Sequence, residues 1–215
     1  MGGTACRVRG GERPPETIRL PEVRAKGSIT VEDALEARRS VREYSDEPVA
    51  LEDLSLLLWA AQGETAGWGG RTAPSAGALF PMEVVVVAGE VSGLDPGVYR
   101  YRNQTHALVP LRIGDRREAL ADEALGQAWV REAPVVLVLS AVYDRTMKKY
   151  GERGVRYAHI EAGAVAENIY LEAVSLGLGT VLTGAFHDDE VRRVLGLARE
   201  ETPLALLPVG HPADR

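Results

Sequence analysis

The sequence predicts an α+β domain, and three observations lead there. Residues 83–88 (Glu-Val-Val-Val-Val-Ala) and 134–141 are short β-branched runs, the pattern of strands buried on both faces. Residues 51–62 and 159–176 place apolar or small side chains at helical spacing: Leu54, Leu57, Leu58 and Ala61 in the first, Ala162, Gly163, Ala166 and Ala173 in the second. These units mix without a strict strand–helix–strand alternation, which favours α+β over a doubly wound sheet.

The elements follow in order. Residues 1–27 carry many charges, glycines and prolines and read as an N-terminal arm, outside the core. Residues 28–215 hold no linker-like stretch and read as one domain. Thr30 with Asp33 fits a capping box at the head of a helix over 31–38. Pro48 breaks the chain, the helix over 51–62 follows, and Gly63 ends it. A long loop rich in Gly, Ala, Ser and Pro fills 63–81 ahead of the strand at 83–88. Residues 97–102 and 107–111 form a hairpin around Asn103-Gln104-Thr105-His106. A helix covers 116–125 and a second buried strand 134–141. The long helix over 159–176 stops at Gly177-Leu178-Gly179. A strand at 180–183, a short helix at 188–195 capped by Asp188, and a last strand at 204–209 complete the domain.

Composition narrows the function. The chain has 215 residues, enough for one sizeable core. Its 25 Lys and Arg against 31 Asp and Glu give a net charge of −6, which argues against a general nucleic-acid binder with its basic face. Cys6 is the single cysteine, so one chain can form neither a disulfide nor a Cys-rich metal site. No apolar run reaches the ~18 residues of a membrane-spanning helix. The N-terminus lacks the apolar core of a signal peptide. A soluble, cytoplasmic protein without membrane or nucleic-acid partners is the expectation.

Four segments carry candidate chemistry. Arg38-Arg39-Ser40-Val41-Arg42 places three planar, bidentate donors within five positions, which suits a phosphate or another oxyanion. The same arginines fit a solvated helix end that complements the helix dipole. The loop Arg71-Thr72-Ala73-Pro74-Ser75-Ala76-Gly77-Ala78-Leu79-Phe80-Pro81 has small side chains that let backbone approach a flat ligand, or is a turn-rich connector. Tyr150-Gly151-Glu152-Arg153-Gly154-Val155-Arg156-Tyr157, preceded by Lys148 and Lys149, is a solvated loop or a lid that supplies Tyr, Lys or Arg. Leu182-Thr183-Gly184-Ala185-Phe186 and Pro208-Val209-Gly210-His211-Pro212 each follow a strand, where ligands often sit.

Some chemistry is missing. There is no phosphate-binding P-loop, no Gly-x-Gly-x-x-Gly after a strand and no Gly-x-Ser-x-Gly elbow. His106, His159, His187 and His211 are scattered, so no catalytic metal is expected. Trp59, Trp68 and Trp129 read as core or interface residues.

In order along the chain, Arg38-Arg39-Ser40-Val41-Arg42-Glu43-Tyr44, Leu57-Leu58-Trp59-Ala60-Ala61-Gln62-Gly63, Ala73-Pro74-Ser75-Ala76-Gly77-Ala78-Leu79-Phe80-Pro81-Met82-Glu83, the segment 150–157 and Ala173-Val174-Ser175-Leu176-Gly177-Leu178-Gly179 resemble the FMN-dependent nitroreductase family. The most similar branch is the SagB/ThcOx type, which includes peptide thiazoline and oxazoline dehydrogenases. The resemblance spans residues 15–213.

This resemblance implies a mixed central sheet flanked by helices and an intertwined homodimer with FMN at the interface. Arg38, Arg39, Ser40 and Arg42 would contact FMN from one subunit, and Pro74, Ser75 and Ala76 from the other. Thr183 and Gly184 would lie along the isoalloxazine, with Gly210 and His211 near the phosphate. Gln127 falls where some relatives place a flavin-contacting polar side chain. Relatives often carry arginine at the position of His211, and a histidine there makes FMN binding more pH-dependent. The implied activity is ping-pong hydride transfer through flavin N5, from NADH or NADPH to a small nitro- or quinone-like acceptor. In the peptide dehydrogenases the flow reverses, a cyclodehydratase assists, and a Lys-Tyr pair matched here by Lys149 and Tyr150 helps remove a proton. A flavin-binding protein without turnover is the remaining alternative.

Overall fold

The computed structural model describes residues 16–23 and 29–213. Its centre is a seven-stranded sheet in which every pair of neighbours runs antiparallel. The strands are β1 (Ile18–Arg19), β3 (Met82–Ala88), β5 (Gly97–Arg102), β6 (Ala107–Ile113), β7 (Val135–Ala141), β8 (Gly179–Thr180) and β9 (Thr202–Gly210), in the order β1-β6-β5-β3-β7-β9-β8. A separate parallel pair joins β2 (Val49–Ala50) to β4 (Val91–Ser92). Among the described residues, parallel register, expected of a mixed sheet, is confined to that pair and to a single bridge between Ser40 and Thr180.

The β-branched runs are continuous because the sheet is covered on both sides. Alternate residues point to opposite faces. Val84, Val86, Leu137, Leu139 and Leu207 face α2 (Leu51–Gln62) and α6 (Arg153–Ser175). Val85, Val87, Val136, Val138 and Leu206 face α3 (Arg117–Glu123), α4 (Ala128–Glu132) and α7 (Asp188–Leu195). Each fully buried Val or Leu contributes on the order of 1.5–3 kcal/mol.

Local signals are realised where they are local. Thr30 and Asp33 close a reciprocal capping box on α1 (Val31–Ala37). The helix α7 has its expected bounds, but its N-cap is His187, without a side-chain cap bond, and Asp188 falls in the first turn. There Asp188, Asp189 and Glu190, with Arg192 and Arg193 in the last turn, complement the helix dipole.

Two expectations need correction. The arm at 1–27 is not wholly outside the core: Ile18–Arg19 adds an edge strand to β6, and Leu20 is buried in the main cluster. Cys6 lies outside the described residues. Residues 150–157 are not a lid loop. They end α5 (Asp144–Tyr150) and begin α6, with only Gly151 and Glu152 between the helices. The close approach of these helices explains the early start of α6. A Cβ on Gly154 would meet the Met147 amide nitrogen at 2.7 Å, so glycine here permits contact rather than breaking the helix.

One buried ionic cluster ties the sheet together. Arg100 of β5 donates to Glu201 at 2.7 Å and to Glu83 of β3 at 3.3 Å, and Ser140 of β7 donates to the other Glu201 oxygen at 3.3 Å. Burial opposes the charge on Arg100, but the two carboxylates outweigh it and hold the guanidinium pKa above its ordinary value. Arg145 shares Glu83. Replacing Arg100 with Leu strands the Glu201 carboxylate in the interior. Arg100→Leu should cost about 3–5 kcal/mol of stability, read as a lower midpoint in urea denaturation; a loss under about 1 kcal/mol would show that Glu201 finds other solvation.

Candidate functional site

The arginine segment leaves α1 in extended form. Arg38 is the C-cap of α1, and residues 40 and 41 run beside β8 through the Ser40 bridge to Thr180 and a bond from the Val41 amide to the Thr180 carbonyl at 2.9 Å. Tyr44 anchors the far end, donating to the carbonyls of Val41 at 2.9 Å and Pro208 at 3.1 Å. Burial, with a smaller effect from Tyr170, raises the pKa of the Tyr44 phenol, so it stays neutral.

The guanidinium groups rest on aromatic faces. Arg38 lies over the Tyr170 ring at 5.3 Å and Arg42 over the Trp129 ring at 5.5 Å. Among the described residues no carboxylate lies within salt-bridge distance of Arg38, Arg39 or Arg42. Arg39 turns back instead onto the carbonyls of Glu36 and Arg38, at 2.7 Å each. A ring fixes a guanidinium without neutralising it, which leaves its charge for an anion.

The same two rings hold the turn after β8. Trp129 donates to the Thr183 hydroxyl at 3.0 Å, and the Leu182 amide donates to the Tyr170 hydroxyl at 2.8 Å. Gly184 has open space where a side chain would project. The buried Thr180 hydroxyl has no partner. Cationic donors without counter-charges, an orphaned hydroxyl and an open glycine turn together suit a ligand with an anionic end and a flat body.

Three expected positions have other visible duties. Gln127 donates to the carbonyls of Ala124 and Ala185, so its amide braces the turn at 182–186. Gly210 is packed tight: a Cβ there would meet Pro134 at 2.7 Å and Tyr44 at 3.0 Å. His211 stands 3.9 Å from Glu47, and its carbonyl accepts from Ser45.

Pro74, Ser75 and Ala76 belong to a second group. They start a tight loop whose 3-10 turn, Ala76–Ala78, includes Gly77 at φ 63. Tyr150 Oη and Lys149 Nζ lie against it, 2.5 and 3.0 Å from where a Gly77 Cβ would sit. Lys149 and Tyr150 therefore meet the loop that sequence reasoning placed at the ligand, while the arginine segment lies elsewhere on the chain. Glu161 and Tyr170 mark the two groups on α6. They stand nine positions apart, roughly 14 Å along the axis.

Sequence reasoning missed Trp129 and Tyr170 as supports, and it missed Glu161. Glu161 is 2% exposed, and neither carboxylate oxygen has a hydrogen-bond partner. Burial pushes its pKa from 4.5 to about 7, although Ser75, Arg71, Gln62 and Arg145 pull the other way. Its folded-state pKa is raised, so the folded protein binds more protons than the unfolded chain between those values. Stability from this group is greatest below pH 4.5, falls as pH rises towards 7 and is flat above. Glu161→Gln should remove that decline, on the order of 3 kcal/mol, from the difference between urea denaturations at pH 5 and pH 8. An unchanged difference would mean that Glu161 titrates normally.

Among the described residues no helix is long and apolar enough to cross a membrane, and no group of three His, Cys, Asp or Glu is arranged to hold a metal.

Comparison with known proteins agrees with the fold. The model of the nitroreductase family matches residues 35–211. A Methanocaldococcus jannaschii protein assigned to the nitroreductases is 47% identical over 197 residues, covering 92% of this chain and 97% of its own length. The Bacillus subtilis protein named FMN reductase (NAD(P)H) is 29% identical over 196 residues, covering 85% of this chain and 66% of its own. A crystal structure of a Ralstonia eutropha protein assigned to the nitroreductases superposes with a TM-score of 0.81 at 32% identity, covering 97% of this chain and 98% of that one.

Proposed function

The chain belongs to the nitroreductase family of oxidoreductases, and on that premise we propose that it binds FMN and moves hydride, by a ping-pong mechanism, from NADH or NADPH to a small nitro- or quinone-like acceptor. FMN, when bound, supplies the reversible hydride chemistry. The observation that carries the reading is the pair of guanidinium groups held on Tyr170 and Trp129 beside the glycine turn at 182–184.

The chain's own residues divide the work of binding. Arg38, Ser40 and Arg42, with Arg39 at the edge, would hold the phosphate or the negative edge of the flavin. Arginine near that edge favours the charge that accumulates there on reduction. Thr183, fixed by Trp129, and Gly184, open above, would line the flat ring. Gly210 would bring backbone close, and His211 would face the phosphate.

The loop at 74–76 would complete the site from a second copy of the chain. The separation of the two groups along α6 supports this arrangement. So do the exposed apolar side chains Val31, Leu35, Ile160 and Leu182 on α1, α6 and the turn after β8, which a homodimer would cover.

A second reading, the azoline peptide dehydrogenase of the SagB/ThcOx type, draws on Lys149 and Tyr150. The Lys149 ammonium is 5.3 Å from the Tyr150 ring centre, and both groups reach the Gly77 loop. If that loop meets the flavin of the partner, the pair meets it too, with Lys149 as a base.

Purified protein should be yellow, or become so with added FMN. Arg38→Ala should lose FMN while keeping its thermal unfolding midpoint, because among the described residues the Arg38 guanidinium rests on the Tyr170 ring and makes no salt bridge. Stoichiometric flavin in that variant would defeat the assignment. Anaerobic NADH or NADPH should bleach the bound flavin. If neither does, but an azoline-containing peptide does, the second reading replaces the first.

A further inference from the structure

The loop over residues 75–80 is held in a conformation that its own sequence disfavours. Gly77, Ala78 at φ 54 and Phe80 at φ 46 are all left-handed. Residues with a Cβ avoid that region, so the surroundings must enforce it. Ser75 supplies one tie: its Oγ accepts from the Phe80 amide at 2.9 Å, across the left-handed residues. That bond occupies the hydroxyl as an acceptor and leaves its own hydrogen to donate.

The acceptor nearest at hand is Glu161, on whose carboxyl Ser75 acts and whose helix packs against the turn at 76–78. Its two oxygens, the Gln62 Nε2 and the Arg71 Nε are all buried without partners. Gln62 already accepts from Arg71 through its Oε1 at 2.6 Å, so its amide nitrogen is the free end. Four unsatisfied polar atoms in residues that act on one another are not core filler, because buried polar groups are ordinarily satisfied. The set sits between α2, α6 and the base of the loop. Tyr150 and Lys149 cover Gly77. Phe80 in turn stacks under Arg71, whose guanidinium lies 4.3 Å from the ring centre.

We infer that Glu161 is a positioning residue: its carboxylate takes the Ser75 hydroxyl and so fixes the residues, Pro74 to Ala76, that approach the cofactor. The inference rests on the reading of those residues as part of the FMN site. The charged groups facing Glu161 are Arg71 from the loop and Arg145 from α5; Ser75 and Gln62 are its neutral neighbours. Glu83 of β3 and Glu64 act in turn on Arg71. A carboxylate accepts more strongly than the neutral acid. The hold on Ser75 therefore tightens as Glu161 ionises, and its burial puts that change at about pH 7.

The test uses full-length protein freed of FMN, with FMN as the ligand and hydrogen exchange over residues 73–81 as a readout that needs no flavin. At pH 8, Glu161→Gln should weaken FMN binding about tenfold and lower the protection of the Phe80 amide. Ser75→Ala should do the same. The double variant should bind no more weakly than the weaker single one, since both changes remove the same link. Unchanged affinity and protection in Glu161→Gln, or losses that add in the double variant, would overturn the inference. If the wild-type protein binds no FMN, the reading of the site falls, and hydrogen exchange still decides whether Glu161 holds the loop. Should Glu161→Gln fail to fold, the comparison moves to pH. Protection of the Phe80 amide, corrected for intrinsic exchange, should rise from pH 6 to pH 8 in the wild type and stay flat in Ser75→Ala. A wild type that is flat overturns the inference as well.

Discussion

Burial of β7 on both faces is the constraint from which the rest of the architecture follows. All seven of its residues are buried, β3 and β9 pair along its two edges, and helices cover both sides. A strand so enclosed has no face or edge left for a ligand. Polar chemistry is displaced to where strands end and irregular backbone begins: the segment at 38–44, the turn after β8, the end of β9 and the loop that enters β3. The long helix α6 covers one face of this sheet, and its side chains reach both groups of candidate residues, Glu161 beneath the loop and Tyr170 beneath Arg38.

What holds the arginine segment also shapes its chemistry. Acidic partners would have fixed Arg38 and Arg42 more strongly, but they would have cancelled the potential that attracts an anion. Aromatic faces orient the guanidinium planes and leave the charge uncompensated. Tyr170 and Trp129 do more than this, since the Tyr170 hydroxyl and the Trp129 indole also fix Leu182 and Thr183. One pair of rings thus sets the distance between the cationic donors and the turn expected to lie along a flat ligand.

Much of this was legible in the sequence, for reasons that differ by element. The helix α2, the capping box at Thr30 and the hairpin of β5 and β6 are encoded by nearest neighbours, and they stand where spacing and turn residues put them. The two-residue strands β1, β2 and β4 exist only because a partner segment lies alongside, so no local pattern announces them, and the strand expected at 180–183 is cut to Gly179–Thr180, the residues that pair with β9. The start of α6 was hidden in a glycine-bearing segment, 150–157, that reads as loop, although Gly154 serves a close helix contact. Arg100 and Glu201 are far apart in sequence, and only the folded sheet makes them a pair. The arginine cluster was visible in the sequence as a candidate anion site, but the rings beneath it were not, because nothing in the spacing of Arg38 and Tyr170 foretells that they meet. Glu161 looks like any helical glutamate until α2 and the loop close over it.

The distribution of unfavourable features separates framework from site. Deep in the sheet, the buried charges are matched: Arg100 finds Glu201 and Glu83, and Ser140 completes Glu201. Around the two candidate groups the accounting is left open. Ala78 and Phe80 hold left-handed backbone, Thr180 keeps an unpaired hydroxyl, and Glu161, Gln62 and Arg71 keep unsatisfied atoms. A chain under selection for stability alone would remove such features, since isosteric apolar replacement of a buried polar group is often neutral or stabilising. Their concentration in the loop at 75–80, in the residues beneath it and beside the arginine segment fits the binding role proposed for both groups, at a cost the two-sided core can carry.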